Sequence, residues 1–134
     1  MAKNLTRYLP ALLLAFAVPM VAQAADSSAA VSKQVATATA HAGMAMGAAD
    51  LKMTHMHLHH VVNCLEGPSG KRFDAKAGDP CKGQGNGAIA DAKGDAATET
   101  KLHTALTQAE AGLKAKTLEA AHEDAKKAMS TLQG

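Results

Sequence analysis

Proline is missing from two long stretches of this chain, Ser27 to Leu65 and Ala96 to Leu132. The first is rich in alanine, methionine and histidine, the second in alanine, leucine, lysine and glutamate. Between them, residues 66–95 carry Pro68, Pro80 and a dense set of glycines. Residues that lose little side-chain freedom in a helix fill the outer stretches, and helix-breaking residues fill the middle one. Runs of β-branched and aromatic residues at period two are missing, so strands are not expected. The predicted class is all-α.

The two outer stretches resemble one another. Ala40-His41-Ala42-Gly43-Met44 aligns with Ala109-Glu110-Ala111-Gly112-Leu113, and Leu51 to Leu65 aligns with Leu118 to Leu132 without a gap. A two-residue gap in the short connection reconciles the halves. Each half reads as helix, turn, helix, with helices near Ser27–Met46, Asp50–Leu65, Thr98–Leu113 and Thr117–Leu132. Asp50 and Thr117 are the expected caps, since a side-chain oxygen there accepts from an otherwise unpaired N–H. Two helical hairpins (27–65 and 96–132) predict a four-helix bundle, with 66–95 as a long central loop.

The first residues predict export. Lys3 and Arg7 precede an apolar run to Val21, and Ala22-Gln23-Ala24 provides the small-x-small cleavage pattern of a secretory signal. The run is shorter than the roughly 20 apolar residues of a membrane span and contains Pro10 and Pro19. Cleavage after Ala24 leaves one helical domain, 25–134, in the periplasm, with no membrane insertion afterwards. Loss of Lys3 and Arg7 brings the 14 basic residues down to 12, equal to the 12 acidic ones. A neutral chain gives no electrostatic case for nucleic acid. Phe73 is then the one aromatic residue left, too few for stacking bases or sugars. In an oxidising compartment Cys64 and Cys81 read first as a disulfide, a crosslink that typically contributes about 2–4 kcal/mol. Thiolate ligation of a metal is the other reading of Cys64.

The chemistry-bearing residues concentrate in Met53-Thr-His55-Met56-His57-Leu58-His59-His60, followed by Asn63-Cys64. At about 100° per residue, Leu51, His55, Leu58, Val62 and Leu65 share one stripe, and Met53, His57, His60 and Cys64 share the opposite one. The second copy carries Leu118, His122, Ala125, Met129 and Leu132 in the first stripe and Ala120, Asp124, Lys127 and Thr131 in the other. The first stripe is therefore the expected core, and the second is expected to face solvent.

Histidines three or four residues apart on a helix point the same way and can share one ion. His57 and His60 are the leading metal ligands, with His59, Met53 and Met56 next. Interleaved methionine and histidine favour copper, with zinc or nickel as alternatives. The inward pair His55 and His122 supports a second reading, a non-covalent haem b protein with ligands from facing helices. A metal-free module binding an unidentified periplasmic protein is the third. The sequence contains no Cys-x-x-Cys-His, no His-Glu-x-x-His, no complete phosphate loop and no serine or cysteine in a recognisable triad context, so no enzyme is expected.

The stretch from His55 to Pro68, together with Phe73-Asp74 and Gly78-Asp79-Pro80-Cys81-Lys82-Gly83-Gln84-Gly85-Asn86-Gly87-Ala88, resembles small exported, His/Met-rich helical bacterial proteins of unassigned function. That resemblance implies no activity. The residues themselves point to buffering, resistance or delivery of a transition metal.

Overall fold

The computed structural model describes residues 21–134, with side chains from Ser27 onward. The expected signal peptide therefore lies, up to Met20, outside the described residues. The described residues form five helices and no strand: α1 Val21–Gly47, α2 Leu51–Glu66, α3 Ala88–Asp91, α4 Ala96–Lys114 and α5 Leu118–Gln133. No described helix is long and apolar enough to cross a membrane. Local chemistry sets the starts of α2, α4 and α5. Asp50 accepts from the Met53 N–H at 2.8 Å, and Thr117 accepts from the Ala120 N–H at 3.2 Å. The start of α4 falls earlier than Thr98 because Asp95 caps it, while Glu99 reaches back to the Gly94 N–H at 2.7 Å.

Helix α1 packs on α2 and α5, and α4 packs on α5 and α2. The core these contacts enclose pairs large residues with small ones. Helix α2 contributes Leu58, Val61, Val62 and Leu65 and α4 contributes Leu102 and Leu106, whereas α1 contributes Ala38, Ala42 and Ala45 and α5 contributes Ala121, Ala125 and Ala128 beside Leu132. Gly112 on α4 leaves room for Leu58, whose Cδ1 would lie only 2.7 Å from a Cβ at that glycine. Burial of a leucine or valine side chain stabilises by about 1.5–3 kcal/mol, so α2 is the principal apolar element.

The two hairpins correspond more simply than their sequences suggest. Leu51 to Glu66 maps onto Leu118 to Gln133 by a shift of 67 residues, and the ends of α1 and α4, Gly47 and Lys114, differ by the same shift. Buried Ala38, Ala42 and Ala45 fall on buried Ala105, Ala109 and Gly112 by that shift too. The two-residue gap is not needed. The Ala-x-Ala-Gly match that required it would pair buried Ala42 with exposed Ala111.

The stripe assignment also requires correction. Buried positions on α2 include Thr54, Leu58, Val61 and Leu65, and their counterparts Ala121, Ala125, Ala128 and Leu132 are all buried on α5. Both stripes are thus turned by about one residue from the expected Leu51–His55–Leu58 and Leu118–His122–Ala125 lines. His55 and His122 fall at the edge of the core, half-buried. The face with His57, His60 and Cys64 is not a wet one: Cys64 is buried and both histidines are half-buried. What covers that face is α1 and the segment after α2.

That segment is fastened at several points. Cys64 and Cys81 form the disulfide, with Cα atoms 5.2 Å apart. Asn63, fully buried, donates to the carbonyls of Asp74 (2.8 Å) and Gly78 (2.6 Å) and accepts from the Asp74 N–H at 2.8 Å. Arg72 bridges Glu66 on α2 and Glu110 on α4. Buried Gln34 on α1 accepts from the Gly87 N–H and donates to Asp91, which anchors the entry to α3. A 30-residue sequence stretch with little regular structure is held because its backbone polar groups find side-chain partners.

Candidate metal centre

His41, on the side of α1 that meets α2, completes a cluster with His57 and His60. Folding the first hairpin about Ala48–Asp50 sets residue 41 opposite residue 57, and one further helical turn brings His60 to the same place. The Nδ1 of His41 lies 3.3 Å from the Nδ1 of His57 and 3.3 Å from the Nδ1 of His60. One ring nitrogen from each residue lies within 4.8 Å of the other two. The rings meet at centroid separations of 5.5, 4.6 and 5.8 Å.

The fourth element of the site is the fastened segment. The Ala77 carbonyl lies 2.7 Å from His60 Nε2. A carbonyl only accepts, so Nε2 carries the hydrogen and the Nδ1 of neutral His60 presents its lone pair to the cluster. This is the arrangement that orients a metal-binding imidazole: one nitrogen for the ion, the other N–H on a backbone carbonyl. Gly78 follows directly with φ +91°, a left-handed turn beside the ring that an L side chain rarely adopts. Asn63 holds both Asp74 and Gly78, so it positions the carbonyl between them.

Burial and neighbouring imidazoles favour the neutral forms of His41 and His57. Burial, then the neighbouring His60 and His57, lowers the pKa of His41 to about 4, and burial followed by His60 lowers that of His57. Neutral imidazole is the form that binds metal. The 3.3 Å spacings also fit an ion. Metal–nitrogen bonds of about 2.0–2.1 Å in a tetrahedron place adjacent nitrogens about 3.3–3.4 Å apart.

The second hairpin supplies an internal comparison. By the shift of 67 residues, His41, His57 and His60 correspond to Gln108, Asp124 and Lys127. There Lys127 pairs with Asp124 at 3.0 Å, and Gln108 accepts from the Thr131 hydroxyl at 2.8 Å. The same places in the fold hold an ordinary polar set in one copy and three imidazoles in the other.

The remaining candidates are placed as follows. His59 points to another side of α2, its Nδ1 3.8 Å from an Asp74 carboxylate oxygen. Met53 is exposed and Met56 half-buried. His122 bonds through Nε2 to the Ala48 carbonyl at 3.0 Å, and the Nε2 of His55 is buried without a hydrogen-bond partner. Haem ligation would require His122 to release Ala48. Cys64 is in the disulfide, which removes it as a thiolate ligand. His41 was not assignable from composition; the hairpin register, read across a turn at Ala48–Asp50, is the signal that identifies it.

The charge state of the cluster has a measurable consequence in metal-free protein. The unfolded chain binds a proton at position 41 with the ordinary histidine pKa near 6.5, and the folded chain does so only near 4. Stability from this group is therefore present above pH 6.5 and lost as pH falls toward 4. His57 adds in the same direction. Urea midpoints of wild type should fall more steeply between pH 6.5 and 4.5 than those of His41→Ala. Parallel pH curves would remove this account.

Comparison with known protein families, with curated proteins and with solved structures returned no match.

Proposed function

We propose that this protein binds one transition-metal ion through His41, His57 and His60 and serves in metal buffering, resistance or delivery in the periplasm. The supporting observation is the convergence of three ring nitrogens, one of them oriented by the Ala77 carbonyl, at positions where the twin hairpin has glutamine, aspartate and lysine. The scaffold is read as a single four-helix-bundle domain, 25–134, released from its signal peptide after Ala24. Copper is the first choice of ion, with zinc and nickel next, because imidazole serves all three. The role is binding rather than turnover.

The test is expression with the native leader, recovery from the periplasm, and elemental analysis with titration of Cu(I), Cu(II), Zn(II) and Ni(II). The expected result is a mature chain beginning at Ala25 that saturates with one equivalent of metal. A chain that binds none of these ions would reject the reading.

A further inference from the structure

We infer that Met44 and Met53 form a thioether mouth on the histidine cluster and make it selective for Cu(I). The inference rests on the metal-binding reading above and extends it to the ion's oxidation state.

Met44 and Met53 are 51% and 40% exposed, the exposed large apolar side chains among the described residues. Packing accounts for other methionines of the chain: Met46 and Met129 lie against the core. It does not account for these two. Met44 follows His41 by three residues on α1, and Met53 precedes His57 by four on α2, so each shares a helix face with a histidine of the cluster. The hairpin register that sets residue 41 opposite residue 57 sets residue 44 opposite residues 53 and 54. Both methionines therefore lie on the same side of the cluster, toward the Ala48–Asp50 connection. At about 1.5 Å rise per residue they stand about 4.5–6 Å along the axes from their histidines, within reach of a long, flexible side chain.

The twin hairpin again provides the contrast. The positions equivalent to Met44 and Met53 are Ala111 and Ala120, both exposed. Alanine is the better helix former and exposes less apolar surface, so among the described residues the exposed thioethers stand in the hairpin that carries the three-histidine cluster. Chemically the two sets are complementary. Three nitrogens leave one vertex of a tetrahedron open, and a thioether is a soft donor that favours Cu(I) over Zn(II) or Cu(II).

The test is the double variant Met44→Leu with Met53→Leu, which keeps bulk and apolar character and removes both sulfurs. Cu(I) affinity is measured without oxygen by competition with a chromophoric chelator, using a non-thiol reductant that leaves Cys64–Cys81 oxidised. Zn(II) affinity is measured by calorimetry. The expected result is a loss of about tenfold or more for Cu(I) and a change within about twofold for Zn(II). X-ray absorption of the Cu(I)-loaded wild type should show a sulfur neighbour that the variant lacks. Unchanged Cu(I) affinity, an equal loss for both ions, or no sulfur neighbour would overturn the thioether assignment while leaving the histidine site standing. Wild type that binds neither ion would overturn both.

Discussion

His41→Ala is expected to weaken metal binding by more than about a hundredfold and to leave the fold intact. Loss of a group that only orients a ligand typically costs about 10–100-fold, and His41 supplies a donor itself. Its ring stands 3.3 Å from each of the other two Nδ1 atoms, so its removal separates a cluster of three into a pair on one helix. The fold should tolerate the change because the imidazole is half-buried and stays neutral at pH 7, with its pKa lowered to about 4. The thermal midpoint of metal-free protein should move by no more than about 5 °C. Metal at about 100 times Kd should stabilise wild type by about 2.7 kcal/mol and the variant hardly at all. His55→Ala and His122→Ala serve as comparisons and should retain full affinity. An equal loss in either would transfer the site to those histidines.

Asn63→Ala should produce the largest loss of stability of any polar substitution proposed here, about 3 kcal/mol. The side chain is fully buried and makes three hydrogen bonds to the backbone of Asp74 and Gly78. Alanine would strand two carbonyls and one N–H, and each stranded buried group costs about 1–3 kcal/mol before relaxation. Asn63→Asp should not rescue it, because a carboxylate has no N–H for the two carbonyls. Metal affinity should fall as well, by about 10–100-fold, since Ala77 lies between the two anchored residues and fixes His60. Urea denaturation with the disulfide intact and metal titration of the surviving folded fraction measure the two effects. A variant with normal stability, or one that is destabilised but binds metal with full affinity, would sever the proposed link between this clamp and the site.

The helices were legible because their signals are local. Proline-free alanine-rich stretches and the oxygen-bearing caps Asp50 and Thr117 depend on near neighbours, and the structure bears them out. The Cys64–Cys81 disulfide was legible from the even cysteine count together with the expected oxidising compartment. The direction of the histidine stripe was not legible, because burial depends on what covers a face. Here the cover is α1 and a glycine-rich segment whose path is set by Asn63, Gln34 and Cys81. Hydrophobic periodicity on α2 was also diluted by Thr54, a polar residue fully buried in the core stripe; its hydroxyl donates to the Asp50 carbonyl at 2.9 Å. That bond satisfies the group locally and lets it pass as apolar. The short helix α3 was missed for a related reason: four residues are too few to show a period, and Gln34 supports its entry from a distant part of the chain.

The residues that build the cluster all precede α4. His41, His57, His60, Asn63, Ala77 and both cysteines lie between residues 41 and 81, and the second hairpin contributes no nitrogen to the group. Under the proposed export, a chain threaded outward from its N-terminus would deliver every donor and both sulfurs of the crosslink before α4 and α5 emerge. Until they do, the Leu58, Val61 and Leu65 face of α2 lacks its cover. The polar half of the molecule is thus complete in composition while its apolar half still waits for partners. An ion captured at that stage would be held by a hairpin not yet backed by its core, so the proposed export and the proposed site would be coupled through the order of emergence.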